Sequence, residues 1–133
     1  ASFILDTLTF LSAGGRCSSV TAFGANMLKL KPCIQVDNHD GSMTVGKKYR
    51  GSLDKVLVKY VKDELARYSD INTDLLFITH SGIPQDYIDL VKKNVEDTIT
   101  FKEIHITKAS CTISCHCGPN TLGILFESNS SSI

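Results

Sequence analysis

A nearly continuous apolar run, Asp74-Leu75-Leu76-Phe77-Ile78-Thr79, lies between two stretches of helical periodicity. Such a short run suits a strand covered on both faces, because both of its side-chain rows are apolar. Upstream, Leu53, Val56, Leu57, Tyr60, Val61 and Leu65 make one wide stripe of a helix running to about Tyr68. Ser52 stands at its cap position, and Asp54 suits the positive end of the helix dipole. Downstream, Pro84 occupies a first-turn position, and Tyr87, Ile88, Val91 and Val95 give the next buried stripe. Ile104 and Ile106 alternate in a strand over Phe101 to Thr107, and a last strand runs from Leu122 to Glu127.

The first half reads differently. Ser2 can cap a helix carrying Ile4, Leu8 and Leu11, and Gly14-Gly15 ends it. A second helix starts at Ser18 or Ser19 and reaches about Leu30, with Phe23, Met27 and Leu30 on one face. Pro32 forces its exit. Cys33 to Val36 and Ser42 to Tyr49 then form a hairpin about the turn Asn38-His39-Asp40-Gly41. Helices alternate with strands in the second half, but a hairpin leads. That order predicts an α+β domain with a mixed, mainly antiparallel sheet and helices packed on it.

The 133 residues make one domain, read as 1–127 with a polar disordered tail over 128–133. The chain starts at Ala1-Ser2 without a Met and enters a structured pattern at once, as a processed or excised fragment does. Fourteen basic and fourteen acidic residues cancel, which disfavours a nucleic-acid partner. No apolar run reaches the roughly 20 residues that a membrane span needs. The apolar start has no basic region of a secretory signal. Five cysteines at irregular spacing do not make a disulfide framework, so the thiols read as reduced and the location as cytoplasmic.

Chemistry concentrates in Cys111-Thr112-Ile113-Ser114-Cys115-His116-Cys117-Gly118-Pro119-Asn120, ahead of the last strand. Thiolates and an imidazole suit zinc, but an extended Ile113 to Cys117 would place His116 opposite the neighbouring sulfurs. A Cys/His nucleophile lacks a third, orienting group in the sequence. Zinc-stabilised interaction domain and thiol-dependent enzyme therefore stand as alternatives. The stronger reading is an anion-facing cluster. Arg16 follows Gly14-Gly15, Arg50 precedes Gly51 at a helix start, and His116 precedes Gly118-Pro119. Gly118 lets the backbone approach a ligand, and His116 can donate to a carboxylate or phosphate. Neither a phosphate loop nor a dinucleotide fingerprint is present.

Taken in order, the segments Asp6-Thr7-Leu8, Ser12-Ala13-Gly14-Gly15-Arg16, Lys31-Pro32-Cys33-Ile34, Tyr49-Arg50-Gly51 with Lys55, His116-Cys117-Gly118-Pro119 and Leu122-Gly123-Ile124 resemble the DegV family of bacterial fatty-acid-binding proteins. The resemblance covers about Ile4 to Phe126. It implies the C-terminal domain of a two-domain carrier whose N-terminal domain, absent here, holds the fatty-acid carboxylate with Ser/Thr hydroxyls. It implies a long-chain fatty acid as the ligand, lying in an apolar tunnel, with Arg16, Arg50, His116 and Gly118 near its head group. It implies no catalysis, no cofactor and no metal, and a partner kinase that phosphorylates the presented acid. Cys117 stands where a Thr-like residue is common and Asn120 where Gly is common; Asn still tolerates left-handed backbone.

Overall fold

The computed structural model describes residues 1–6 and 30–129. Among them six strands and three helices follow in the order β1 (Ser2–Ile4), β2 (Lys31–Val36), β3 (Met43–Tyr49), α1 (Leu53–Ala66), β4 (Ile71–His80), α2 (Gln85–Thr98), β5 (Glu103–Lys108), α3 (Cys111–Cys117) and β6 (Leu122–Ser128). The strands form one sheet in the order β3-β2-β1-β6-β4-β5. Every neighbouring pair is antiparallel except β4 with β5, which run parallel across the α2 crossover. This is the expected α+β architecture with a mixed, mainly antiparallel sheet.

The apolar stripe of α1 is buried along its whole length, and Ile88, Val91 and Val95 of α2 join it. Both helices cover one face of the sheet, where Ile4, Cys33, Leu76, Ile78, Leu122 and Ile124 meet them. Ser52 takes the N-cap position of α1 with extended backbone, but its side chain caps no N–H. Its hydroxyl engages Asp54 instead. That bond, with the Lys55 N–H, holds the Asp54 carboxyl below its usual range.

Three expectations fail at the sheet. The helix read from Ser2 is a strand at its start: Ser2, Phe3 and Ile4 pair with Gln35, Ile34 and Cys33, and Ile4 also pairs with Leu122. Slots on both sides outweigh a helical spacing of three apolar residues, since tertiary pairing routinely overrides local pattern. Leu8 and Leu11, like the second expected helix up to residue 29, lie outside the described residues. Strand β4 is buried on one face only. Leu76 and Ile78 turn to the helices, while Leu75 and Phe77 stay half-buried on the other side. The polar tail does not take in its first two residues. The Ser128 hydroxyl and the Asn129 N–H both donate to the Asp70 carbonyl, at 3.1 and 2.9 Å. Residues 130–133 lie outside the described residues.

The seam between β1 and β6 is narrow, with Ile4 opposite Leu122. Tyr60 closes it from below. Its buried hydroxyl lies 2.8 Å from Ser2 Oγ and 3.1 Å from Ser2 O, and it accepts the Ile124 N–H at 3.0 Å. Ser2 Oγ in turn donates to the buried carboxylate of Glu64 at 3.0 Å. Gly123 lets β1 approach: a Cβ there would lie 2.5 Å from Ser2 O.

Candidate functional site

The turn that sequence reading left extended is a helix. Ser110 caps it by accepting the Ile113 N–H at 3.3 Å, and Gly118 ends it at φ 79° with its own N–H on Ser114 O at 2.9 Å. Asn120 then adopts φ 63°, the left-handed backbone that asparagine tolerates. A seven-residue helix is too short to show apolar periodicity, which is why its sequence does not announce it.

The loop after β4 fixes this turn. The Ser81 N–H donates to Thr121 O at 3.0 Å, the Ser81 hydroxyl donates to Gly118 O, and Ser81 Oγ accepts the Thr121 N–H at 3.2 Å. The Asn120 N–H donates to Gly82 O at 3.0 Å, and the Ala109 N–H to His80 O at 2.7 Å. On the far side Asn120 Nδ2 donates to Asp6 Oδ2 at 3.2 Å, and Asp6 is ion-paired with Lys31. Both ends of α3 are thus tied to the C-terminal end of β4.

Beside α3, on the sheet face away from α1 and α2, lies a cavity of about 480 Å³. That size suits a small-molecule site. Phe3, Met43, Gly123 and Leu125 line it from the sheet, and Ile113 and His116 from α3. Leu125, Met43 and Ile113 keep 37%, 42% and 50% of their surface exposed, an apolar set left open on one face. Strand register sets the direction of the cavity. His80 pairs with Leu122 and Leu122 with Ile4, so His80 and the α3 turn stand at one end of the sheet. Val36 and Met43, paired beside the hairpin turn, stand at the other. The cavity therefore runs along the strands, with His116 and the α3 turn at one end and apolar side chains along its length.

The expected site residues are distributed as follows. His116 lines the cavity. Gly118 is buried and shapes the turn through its positive φ and its carbonyl. Arg50 is exposed at the end of β3, at the same end of the sheet as His80, since Tyr49 pairs with Lys31. Strands β2, β1 and β6 lie between, so it stands about 19 Å from β4 at ordinary strand spacing. It is not among the residues that line the cavity. Arg16 lies outside the described residues. Thr121 and the end of β4 at Thr79 and His80 border the cavity and were not singled out in the sequence. The available signal was position: His80 closes a strand, and ligands in α/β sheets gather beyond the carboxyl ends of strands.

The cysteines separate. Cys111 and Cys115 sit four residues apart and exposed on α3, whereas Cys117 packs with Leu5 and Ile34. Among the described residues no three His, Cys, Asp or Glu side chains gather where a metal could sit. Burial pushes the Cys117 thiol up. Burial and the Glu64 carboxylate push Cys33 up to about 12. An activated nucleophile needs the opposite shift. Brief treatment with iodoacetamide should therefore label Cys111 and Cys115 at least about tenfold faster than Cys33 or Cys117, read by peptide mass spectrometry. Fastest labelling at Cys117 would restore the thiol-enzyme alternative.

A second recess of about 670 Å³ opens near the C-terminal end of α1 and is lined by Gln35, Asn38, His39, Glu64 and Arg67. Its charged groups are already engaged. Glu64 takes hydrogen bonds from Ser2 and Gln35, at 3.0 and 2.5 Å, and Arg67 lies 3.7 Å from it. Among the described residues no helix is long and apolar enough to cross a membrane.

The family model that matches is described as an uncharacterised protein of the DegV family, and it covers residues 1–129. A DegV domain-containing protein of Clostridium perfringens is 30% identical over 125 residues, 93% of this chain and 42% of that protein. Among solved structures, a Thermus thermophilus DegV family protein described for fatty acid binding superposes with a TM-score of 0.76 at 26% identity. It covers 96% of this chain and 44% of that one. A fatty acid binding DegV family protein of Streptococcus agalactiae superposes with a TM-score of 0.70 at 25% identity, covering 96% and 44%. The chain spans less than half the length of the curated relatives it matches.

Proposed function

This chain belongs to the DegV family, and from that premise we propose that it holds the acyl chain of a long-chain fatty acid as one domain of a two-domain carrier. The observation that carries the reading is the cavity, with apolar walls along the strands and polar side chains at one end. Fatty acid binding by the Thermus and Streptococcus relatives supports it. Each CH2 moved from water into such a cavity contributes about 0.8 kcal/mol, so a long chain supplies most of the affinity. The head group then needs only orientation. His116 is assigned to a hydrogen bond with the carboxylate, charge-assisted on the ligand side. Gly118 is assigned to the shape of its turn, Arg50 to the positive field at that end of the sheet, and Arg16 to the head group as the resemblance implies. Presentation of the acid to a fatty acid kinase completes the proposal, with the chemistry done by the kinase.

The test is extraction of the purified full-length protein with organic solvent, followed by mass spectrometry of the released lipid. A fatty acid at one equivalent is the expected result. Neither released lipid nor uptake of added oleate would overturn the reading. In the same protein, His116→Ala should weaken oleate binding about tenfold, equal to about 1.4 kcal/mol. Arg16→Ala and Arg50→Ala should weaken binding or lower phosphorylation by the kinase. If affinity and phosphorylation are both unchanged, those two arginines leave the site.

A further inference from the structure

We propose that the Thr79 hydroxyl is a further head-group ligand, donating a hydrogen bond into the cavity to the carboxylate of the bound acid. The inference rests on the fatty-acid reading above and adds a residue to it.

Strand alternation decides which way this side chain points. In β4, Leu76 and Ile78 turn to the helices, so Thr79 stands with Leu75 and Phe77 on the opposite face, where the cavity lies. Its partners across the strands agree. Thr79 pairs with Gly123 and Phe77 with Leu125, and Gly123 and Leu125 line the cavity as Thr79 does. Glycine has no side chain, so nothing from β6 covers the half-buried threonine on that side. Thr79 is also one residue from the His80 carbonyl that accepts the Ala109 N–H leading into α3. It therefore stands at the end of the cavity where His116 lies.

On its other side Thr79 pairs with Thr107 of β5, and the two hydroxyl oxygens meet at 2.7 Å. Each hydroxyl carries one proton and two lone pairs. One proton is used between the two oxygens and the other is spare, because neither hydroxyl bonds any further described residue. With Thr107 donating to Thr79, the spare proton belongs to Thr79, on the cavity face. A carboxylate that accepts it polarises Thr79 and strengthens the bond taken from Thr107. The pair also fixes the hydroxyl in place before any ligand arrives, and a β-branched side chain has few rotamers to lose. Two other hydroxyls on the cavity wall are spent on the α3 turn. Thr121 donates to the Cys117 and Gly118 carbonyls at 3.1 and 3.3 Å, and Ser81 donates to Gly118 O.

Two substitutions in the full-length protein isolate the proton. Thr79→Val keeps the shape and the strand preference and deletes the hydroxyl; Thr79→Ser keeps the hydroxyl. Affinity is measured for oleate and for oleyl alcohol, which has the same tail and no carboxylate, with thermal unfolding alongside. For Thr79→Val the expected result is about a tenfold loss for oleate and a loss within about threefold for oleyl alcohol, because a charged acceptor makes the stronger bond. Thr79→Ser should bind oleate within about threefold of the unsubstituted protein. An equal loss of both ligands in Thr79→Val would make Thr79 a wall residue only and overturn the inference. If the unsubstituted protein takes up no oleate, the fatty-acid reading fails and this inference goes with it. If it binds oleate and Thr79→Val is unaffected, this inference fails alone.

Discussion

Gly123→Val should cost roughly 3 kcal/mol of folding stability, at the upper end of what overpacking does. A Cβ at this position would lie 2.5 Å from Ser2 O, 2.9 Å from Phe3 Cβ and 3.3 Å from Phe3 Cα. Two of these atoms are backbone and the third is the first side-chain atom, so no flexible end can swing away. Either β1 withdraws from β6, losing the Ile4–Leu122 pairing, or β6 shifts against β4, where Gly123 pairs with Thr79. Both routes disturb the wall of the cavity, because Phe3 and Gly123 line it together. Denaturant titration gives the number, and Gly123→Ala should show a smaller loss of the same sign. A loss under about 1 kcal/mol for the valine would mean that the seam yields more easily than its geometry implies.

Tyr60→Phe should cost about 2 to 3 kcal/mol although it removes a single oxygen. The Tyr60 ring is fully buried, and its hydroxyl is the acceptor for the Ile124 N–H. Phenylalanine leaves that N–H buried without a partner, and it removes the donor that Ser2 shares between Oγ and carbonyl. An orphaned buried group costs far more than an average hydrogen bond gains, because water cannot replace the missing partner. The effect should couple to Ser2→Ala: the double variant should lose less than the two single losses together, since both act on one network. Additive losses would mean that the tyrosine and the serine stabilise the sheet separately.

Local pattern made much of this fold readable. The stripe from Leu53 to Leu65 determines a helix and its buried face without outside help, and the buried apolar positions are those the spacing names, with Glu64 the one buried residue outside it. The hairpin is equally local. Gly41 takes φ 75°, its N–H meets Asp37 O at 2.8 Å, and the Asp40 carboxylate accepts the Ser42 N–H at 2.8 Å. Strand β1 was unreadable because its three residues have no period of their own. What makes them a strand is pairing with β2 and β6, distant in the chain. Helix α3 was missed for the opposite reason. Its determinants, Ser110 and Gly118, sit outside it, and its interior carries no apolar stripe. Of the candidate site, His116 could be found from its glycine-proline neighbour. The end of β4 that borders the cavity carried only a positional signal, the close of a strand, and that gains weight once the cavity beside it is seen. Arg50 shows how weak a glycine neighbour is as evidence of proximity: it shares an end of the sheet with the histidines and stays several strands away.

The order β3-β2-β1-β6-β4-β5 also has a kinetic side. The sheet consists of two three-stranded halves, joined where β1 meets β6 and sharing one buried face against α1 and α2. Closing that junction brings together residues from near the two ends of the described chain, and the entropy of so long a loop must be met before the contact is made. Pairings this distant slow folding, so the junction is expected to close after the halves have formed. Interactions absent from the transition state govern how fast a protein comes apart rather than how fast it assembles. Substitutions at Gly123 and Tyr60 should therefore speed the unfolding of the sheet more than they slow its folding.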